Sequence, residues 1–255
     1  MKPWRLEEQT YKQIKERQIE VAILPIGACE PHGYHLPYGT DGYEAYHLAD
    51  KIGEAATEKG ADVVVLPTLG YGVDANMARF PLAIDIRQST LNTFIKDVIV
   101  SLERSGIRKL VIFNSHGGNG FKPLLRELVA DCPVFVSLVN WWQALDDVVK
   151  EIMVVPDGDH AHELEAAVML VFRPDLVHLE DAGDGSTHVT RFPEIEKGWV
   201  SITRPWHLFT KDSTAGDPRN ATAENGQKAI DAIVERIATY IASLAEAEMD
   251  ERFPY

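Results

Sequence analysis

Cysteine is scarce in this 255-residue chain, which holds only Cys29 and Cys132. Two thiols build no disulfide framework, so a small secreted scaffold is excluded and a reducing compartment is expected. Basic residues are also in short supply. Lysine and arginine number 25 against 39 acids, a formal net charge of −14, which argues against nucleic acid or an anionic membrane as the main partner. No apolar run approaches the roughly 20 residues that span a bilayer, and the opening MKPWRLEEQTYKQIKER is too polar for a signal peptide. These absences predict a cytoplasmic protein. No repeat, low-complexity tract or linker divides the chain, and residues 1–255 read as one domain with ordinary globular composition.

What is present is an alternation of strand and helix. Apolar or β-branched runs predict strands at 20–25, 62–66, 109–113 and 134–139. Helical spacing predicts helices at 5–17, 43–59, 91–104, 121–130, 146–152, 161–172 and about 222–247. The segment PTLGYGVDANMARFPLAID reads as a long loop, and residues 180–220 are weakly patterned. Alternation over the first 140 residues predicts an α/β fold with a mostly parallel sheet covered on both faces. In such sheets ligands lie beyond the carboxyl ends of the strands.

The strand ends at Glu30/His32, after Leu66 and after Phe113 carry the unusual residues, and three stretches hold candidate chemistry. The first is VAILPIGACEPHGYHLPYGTD, residues 21–41, where Glu30 and His32 stand two apart, followed by His35 and Asp41. In extended chain such a pair projects to one side, and oxygen and nitrogen donors gathered at one spot suit a divalent metal. The alternative is a polar loop whose acids and histidines are merely solvated. The second is Asn114-Ser115-His116-Gly117-Gly118-Asn119-Gly120 directly after the third strand. A glycine-rich turn of this kind also binds phosphate through amide groups, but it lacks the lysine of a P-loop and the spacing of a dinucleotide fingerprint. The third is Asp157-Gly158-Asp159-His160-Ala161-His162-Glu163-Leu164-Glu165. Asp159 is a natural N-cap there. On an ideal helix His162 pairs with Glu165 and His160 with Glu163, so periodicity leaves open which pair faces a site.

With these stretches, Phe80-Pro81 between them and Thr40-Asp41 after the first, the sequence resembles the creatininase (creatinine amidohydrolase) family over roughly residues 20–175. The resemblance implies a three-layer α/β/α sandwich, two divalent metal ions (zinc, manganese or iron), a homo-oligomer of hexameric type, and hydrolysis of C–N bonds in small amides, including cyclic ones. It implies that Glu30 binds one metal and His32 the second. Asp41 then bridges the two, and His116 completes the second ion's shell. His160 matches the catalytic histidine, with Asp159 beside it to orient the ring. Creatininases proper carry glutamate where this chain has Gly118, so the missing carboxylate comes from Glu165 or is replaced by water. Asp74 falls at a substrate-contacting position, and Gly117, Trp141 and Trp142 are further candidates to line the pocket, the tryptophans as a wall for a planar ring or else as core.

The implied mechanism is attack by a metal-bound hydroxide on the amide carbonyl, with His160 giving a proton to the leaving nitrogen. Two rivals stand beside it. A two-metal phosphoesterase needs cations to clamp phosphate, for which Arg79 and Arg87 are the nearest. A non-catalytic metal-dependent binding protein needs Glu30, His32, Asp41 and His116 but not His160.

Overall fold

The apolar runs that end in turn residues become the strands of one sheet in the computed structural model, which describes residues 2–255. β1 (Val21–Ile26), β2 (Val63–Val65), β3 (Lys109–Asn114) and β4 (Phe135–Asn140) lie side by side in the order β2-β1-β3-β4, and every pair is parallel. Helices α1 (Thr40–Glu58), α2 (Gln88–Arg104) and α3 (Lys122–Leu128) make the crossovers. After β4 come α4 (Asp146–Ile152), α5 (Glu163–Phe172) and α6 (Ala223–Glu246).

Val21, Ile23, Val63, Val65, Val111 and Phe113 face one way and pack on α1, α5 and α6. Ala22, Leu24, Ile26, Val64, Leu110 and Ile112 face the other way and pack on α2 and α3. Both faces are therefore buried, which is why the strands read as continuous apolar runs without alternation. The architecture is the expected three-layer α/β/α sandwich. Among the described residues no helix is long and apolar enough to cross a membrane.

The order of the strands determines where a ligand can sit. From β1 the chain crosses to β2 on one side, then returns to β3 on the other. α1 covers one face and α2 the opposite face. The two crossovers diverge beyond the carboxyl ends of β1 and β3 and open a crevice there. Glu30 follows β1 and His116 follows β3, so the topology alone brings together residues 86 positions apart.

Pro25 sits inside β1, a central strand, where a missing N–H normally costs a ladder bond. Here the cost is absent. β2 is paired only as far as Val65 opposite Ile23, and Pro25 uses its carbonyl to accept from Leu69 N (3.0 Å). Just beyond, Gly27 carries the first turn of α1 against the strand end. A Cβ there would stand 2.6 Å from both Asp41 C and Gly42 N. Gly27→Ala is therefore expected to lose about 1–3 kcal/mol, the usual cost of overpacking, in chemical denaturation. An unchanged midpoint would mean that α1 does not lean on the strand end this closely.

Some boundaries differ from the sequence expectation. The helix expected over 5–17 is a 3-10 turn, Leu6–Glu8, and a short helix, Tyr11–Ile14, because Thr10 is extended and its N–H turns to Gln13 Oε1 (2.8 Å). α1 begins three residues early, at Thr40, after Gly39. α5 begins at Glu163, not at 161, because Ala161 has φ +50° and His162 is extended.

Candidate active site

Four chain segments meet at the crevice. The loop after β1 brings Glu30 and His32, and its tight turn is pinned by a bridge between His32 and Leu36. The first turn of α1 brings Asp41. The loop after β3 brings His116, whose backbone is clasped by Asn114: Nδ2 donates to His116 O (2.8 Å) and Oδ1 accepts from His116 N (3.3 Å). The segment entering α5 brings His160, His162 and Glu165.

The histidines share one pattern. His32 Nδ1 donates to Glu30 O (3.0 Å), so Nε2 faces Asp41 Oδ1 at 2.9 Å. His116 Nε2 donates to Val73 O (3.1 Å), and Nδ1 lies 3.0 Å from Glu30 Oε1 and 2.9 Å from Asp41 Oδ2. His160 Nε2 donates to Pro31 O (2.9 Å), and Nδ1 faces Glu30 Oε1 at 3.6 Å. A backbone carbonyl that holds one ring N–H fixes the tautomer and aims the other nitrogen, as at metal-ligating histidines. All three rings aim that nitrogen at buried carboxylates.

Beyond those histidines the carboxylates have little to bind. Glu30 Oε2 and Asp74 Oδ2 have no partner among the described residues, and Glu165 Oε2 has only His162 Nδ1, at 3.7 Å. Burying such groups is costly unless a cation or a proton neutralises them. The titration directions reflect this strain. Burial would raise Asp41 and Glu30, yet His32 beside Asp41 and His116 beside Glu30 hold both below the usual carboxylate range. Burial would lower His32 and His116, yet Asp41 lifts the first to about 10 and Glu30 lifts the second well above its ordinary value. Without metal, protons on the histidines provide the positive charge that cations would otherwise bring. Donor groups within 4.8 Å of one another include Glu30 with Asp74 and His116, and His32 with Asp41 and Glu165. Mixed imidazole and carboxylate donors fit a divalent transition metal.

Above the cluster opens a cleft of about 500 Å³, reached by Gly117, Trp142, Asp159, His160, Arg204 and Trp206. His160 lies between His32 (ring centroids 4.3 Å apart) and the edge of Trp206 (5.0 Å).

Several residues stand where the sequence did not put them. His116, expected in the shell of the His32 ion, has Nδ1 between Glu30 and Asp41, so it touches the carboxylate it shares with His32 as well as Glu30. Asp159 is exposed and pairs with Arg204 at 2.6 Å; the group next to His160 Nδ1 is Glu30. Nor does Asp159 cap α5, whose N-cap is His162. Asp74, expected against substrate, is wholly buried beside His116, with Oδ1 3.0 Å from Nε2. Trp141 is 1% exposed and donates from Nε1 to Ser115 Oγ (2.9 Å), so it is mostly core, whereas Trp142 is half-buried on the cleft wall. The choice left open by periodicity is resolved by the loop before α5. Glu163 turns back to accept from the N–H groups of Val154 and Val155 (3.0 and 2.8 Å), and Glu165 faces the site, 3.7 Å from His162 Nδ1. His35 points away to the strained Ala161, donating from Nε2 to its carbonyl (3.0 Å).

Sequence reasoning missed Glu44, Arg204 and Trp206. Glu44 is wholly buried and accepts from Ser115 Oγ (3.3 Å). Burial first, then the charges of Glu165 and Asp41, push its carboxyl well above the usual range. Its signal was an acid on the inner face of α1, three positions after Asp41. Arg204 and Trp206 lie in the weakly patterned stretch, where only the Arg-Pro-Trp run hinted at a packed turn.

The profile of the creatinine amidohydrolase family matches residues 7–241. A structure from Bacteroides fragilis NCTC 9343, described as a candidate creatinine amidohydrolase, superposes with a TM-score of 0.91 at 33% identity, covering 98% of this chain and 100% of that one. The mycofactocin precursor peptide peptidase of Mycolicibacterium smegmatis is 28% identical over 89% of this chain and 85% of its own length. The creatinine amidohydrolase of Pseudomonas putida is 27% identical over 92% of this chain and 94% of its own. With the sandwich fold and the acid–histidine cluster at its switch point, the chain belongs to the creatininase family of amidohydrolases.

Proposed function

We propose that this protein is a metal-dependent hydrolase that cleaves the C–N bond of a small amide or cyclic amide. In this reading Glu30, Asp41 and His116 hold one divalent ion, and His32, Asp41 and Glu165 hold a second, with Asp41 shared. The observation that carries it is the set of histidine nitrogens aimed by backbone carbonyls at buried carboxylates. When bound, such ions supply Lewis acidity, which makes water a nucleophile near neutral pH and polarises a carbonyl. Zinc, manganese and iron all suit these donors.

The chain's own residues do the rest. His160 stands at the cleft floor with Nε2 tied to Pro31 O, so only Nδ1 is free to carry a proton to the departing nitrogen. Trp206 and His32 fix the plane of that ring. Trp142 and Gly117 offer a flat side chain and open backbone to a small planar group. Of the basic residues expected to serve a phosphoesterase, neither Arg79 nor Arg87 lines the cleft; Arg204, paired with Asp159, and Lys150 do, so the substrate panel must include phosphate esters.

The test is elemental analysis of the purified protein, then a panel of amides, cyclic ureides, short peptides and phosphate esters. Between one and two divalent ions per chain are expected, and His32→Ala should lose at least one. Unchanged metal content in that variant would refute the role given to His32. Turnover of phosphate esters alone would favour the phosphoesterase, and metal without turnover the binding protein.

Three further points belong to this reading. Two cores built on the faces of one sheet support residues 1–255 as one domain. Unpaired Cys29 and Cys132 support a cytoplasmic setting. The family resemblance supports a homo-oligomer, which light scattering checks.

A further inference from the structure

We propose that Asp74 is a ligand of the ion held by Glu30 and His116, supplying from the loop after β2 the carboxylate that position 118 cannot carry; this rests on the two-ion reading above. The backbone at Gly118 leaves no room for a side chain. A Cβ there would lie 2.3 Å from Val73 O and 2.4 Å from His116 Nε2. The space a side chain would take is filled by the Val73-Asp74 segment, and the acid brought in with it is Asp74.

Asp74 is wholly buried; Oδ1 lies 3.0 Å from His116 Nε2, and Oδ2 has no partner among the described residues. Its backbone is held firmly. Asp74 N–H donates to Asp85 Oδ1 (2.9 Å), and the preceding Val73 N–H donates to Asn119 Oδ1 (3.0 Å). Asn119 in turn donates from Nδ2 to Asn114 Oδ1 (2.9 Å), the residue that clasps the His116 backbone. The two asparagines of the Asn-Ser-His-Gly-Gly-Asn run thus lock the Asp74 loop to the His116 loop. Donor atoms of Glu30, Asp74 and His116 lie within 4.8 Å of one another.

The competing role is that of a positioning residue that only orients the His116 ring. His116 Nε2 has two acceptors in reach, Val73 O at 3.1 Å and Asp74 Oδ1 at 3.0 Å, so orienting the ring uses one carboxylate oxygen at most. Asp74 Oδ2 is buried with no partner among the described residues, and a positioning role leaves it unexplained.

Asp74→Asn separates the two roles, because it keeps the shape and an acceptor oxygen but removes the charge. Wild-type protein and variant are titrated with zinc against a competing chelator. We expect the variant to bind one ion fewer per chain, with affinity at that site reduced beyond the 10–100-fold typical of losing an outer partner. Retention of both ions at unchanged affinity would overturn the proposal. A direct readout is Asp74→Cys in a Cys29→Ser background, loaded with cobalt. A thiolate-to-cobalt absorption band is expected; two bound cobalt ions without the band would also overturn it. Wild-type protein that binds no zinc would overturn the two-ion reading itself, a result distinct from a failure of Asp74 alone.

Discussion

His160→Ala is expected to keep its metal and lose roughly two to four orders of magnitude in turnover, the usual size of a general acid–base contribution. The metal should stay because Glu30, His32, Asp41, His116 and Glu165 are untouched. Turnover should fall because no other group stands with a free nitrogen at that place in the cleft: His160 Nδ1 faces Glu30 at 3.6 Å, while Nε2 is spent on Pro31 O. The sharper comparison uses two amides that differ in leaving group. A weakly basic leaving amine departs with little help, so its turnover should fall less than that of a strongly basic one. Equal losses with metal retained would move the donor to His162, which also lines the cleft and has Nδ1 3.7 Å from Glu165. Loss of metal together with activity would make His160 a ligand. The proton role would then pass to an acid at the cleft, and Asp159 is better placed than Glu163, whose oxygens are held by Val154 and Val155.

Stripping the metal should destabilise the fold, and by more at high pH than at low. A ligand at 1,000 times its dissociation constant stabilises by about 4 kcal/mol, and each kcal/mol moves the melting midpoint of a chain this size by about 2–4 °C. A fall of about 8–16 °C on chelation is expected. The pH dependence follows from His32. Burial would lower its pKa, but the charge and hydrogen bond of Asp41 lift it from 6.5 to about 10 in the metal-free fold. A raised folded pKa gives stability that is complete below 6.5 and lost as pH rises through about 10. The metal competes with that proton, so its own contribution grows over the same range. The gap between loaded and stripped midpoints should therefore widen from about pH 6 to about pH 9. A gap that narrowed over that range would show that proton and ion do not compete at His32.

How much of this was legible in the sequence depends on whether a feature is local. The strands were, because burial on both faces leaves an apolar run that few alternatives explain; β1 was recognisable even with Pro25 inside it. Glu30, His32, Asp41 and His116 were legible as a set because glycines and a proline mark the ends of the strands that carry them. Which of them touch was not. His116 meets both Glu30 and Asp41 through the lateral order of β1 and β3, which sequence spacing does not encode. The burial of Asp74 beside His116 was hidden for the same reason, since its loop carries no period and its place depends on Asn119, 45 positions away. Asp159 looked like a cap because Ala161 hides a left-handed backbone that an alanine gives no reason to expect.

The acids and histidines stand mainly on strand ends and a helix turn, whereas the cleft walls come from the segments around 141–160 and 204–206. The two parts are therefore separable: exchanging Trp142, Arg204 or Asp159 is expected to change what enters while the acids and histidines beneath keep their places. Paired substitutions, one in the wall and one in the cluster, should then add in free energy. Asp159 and Arg204, which are bonded to each other, are the exception: drift at one invites a compensating change at the other.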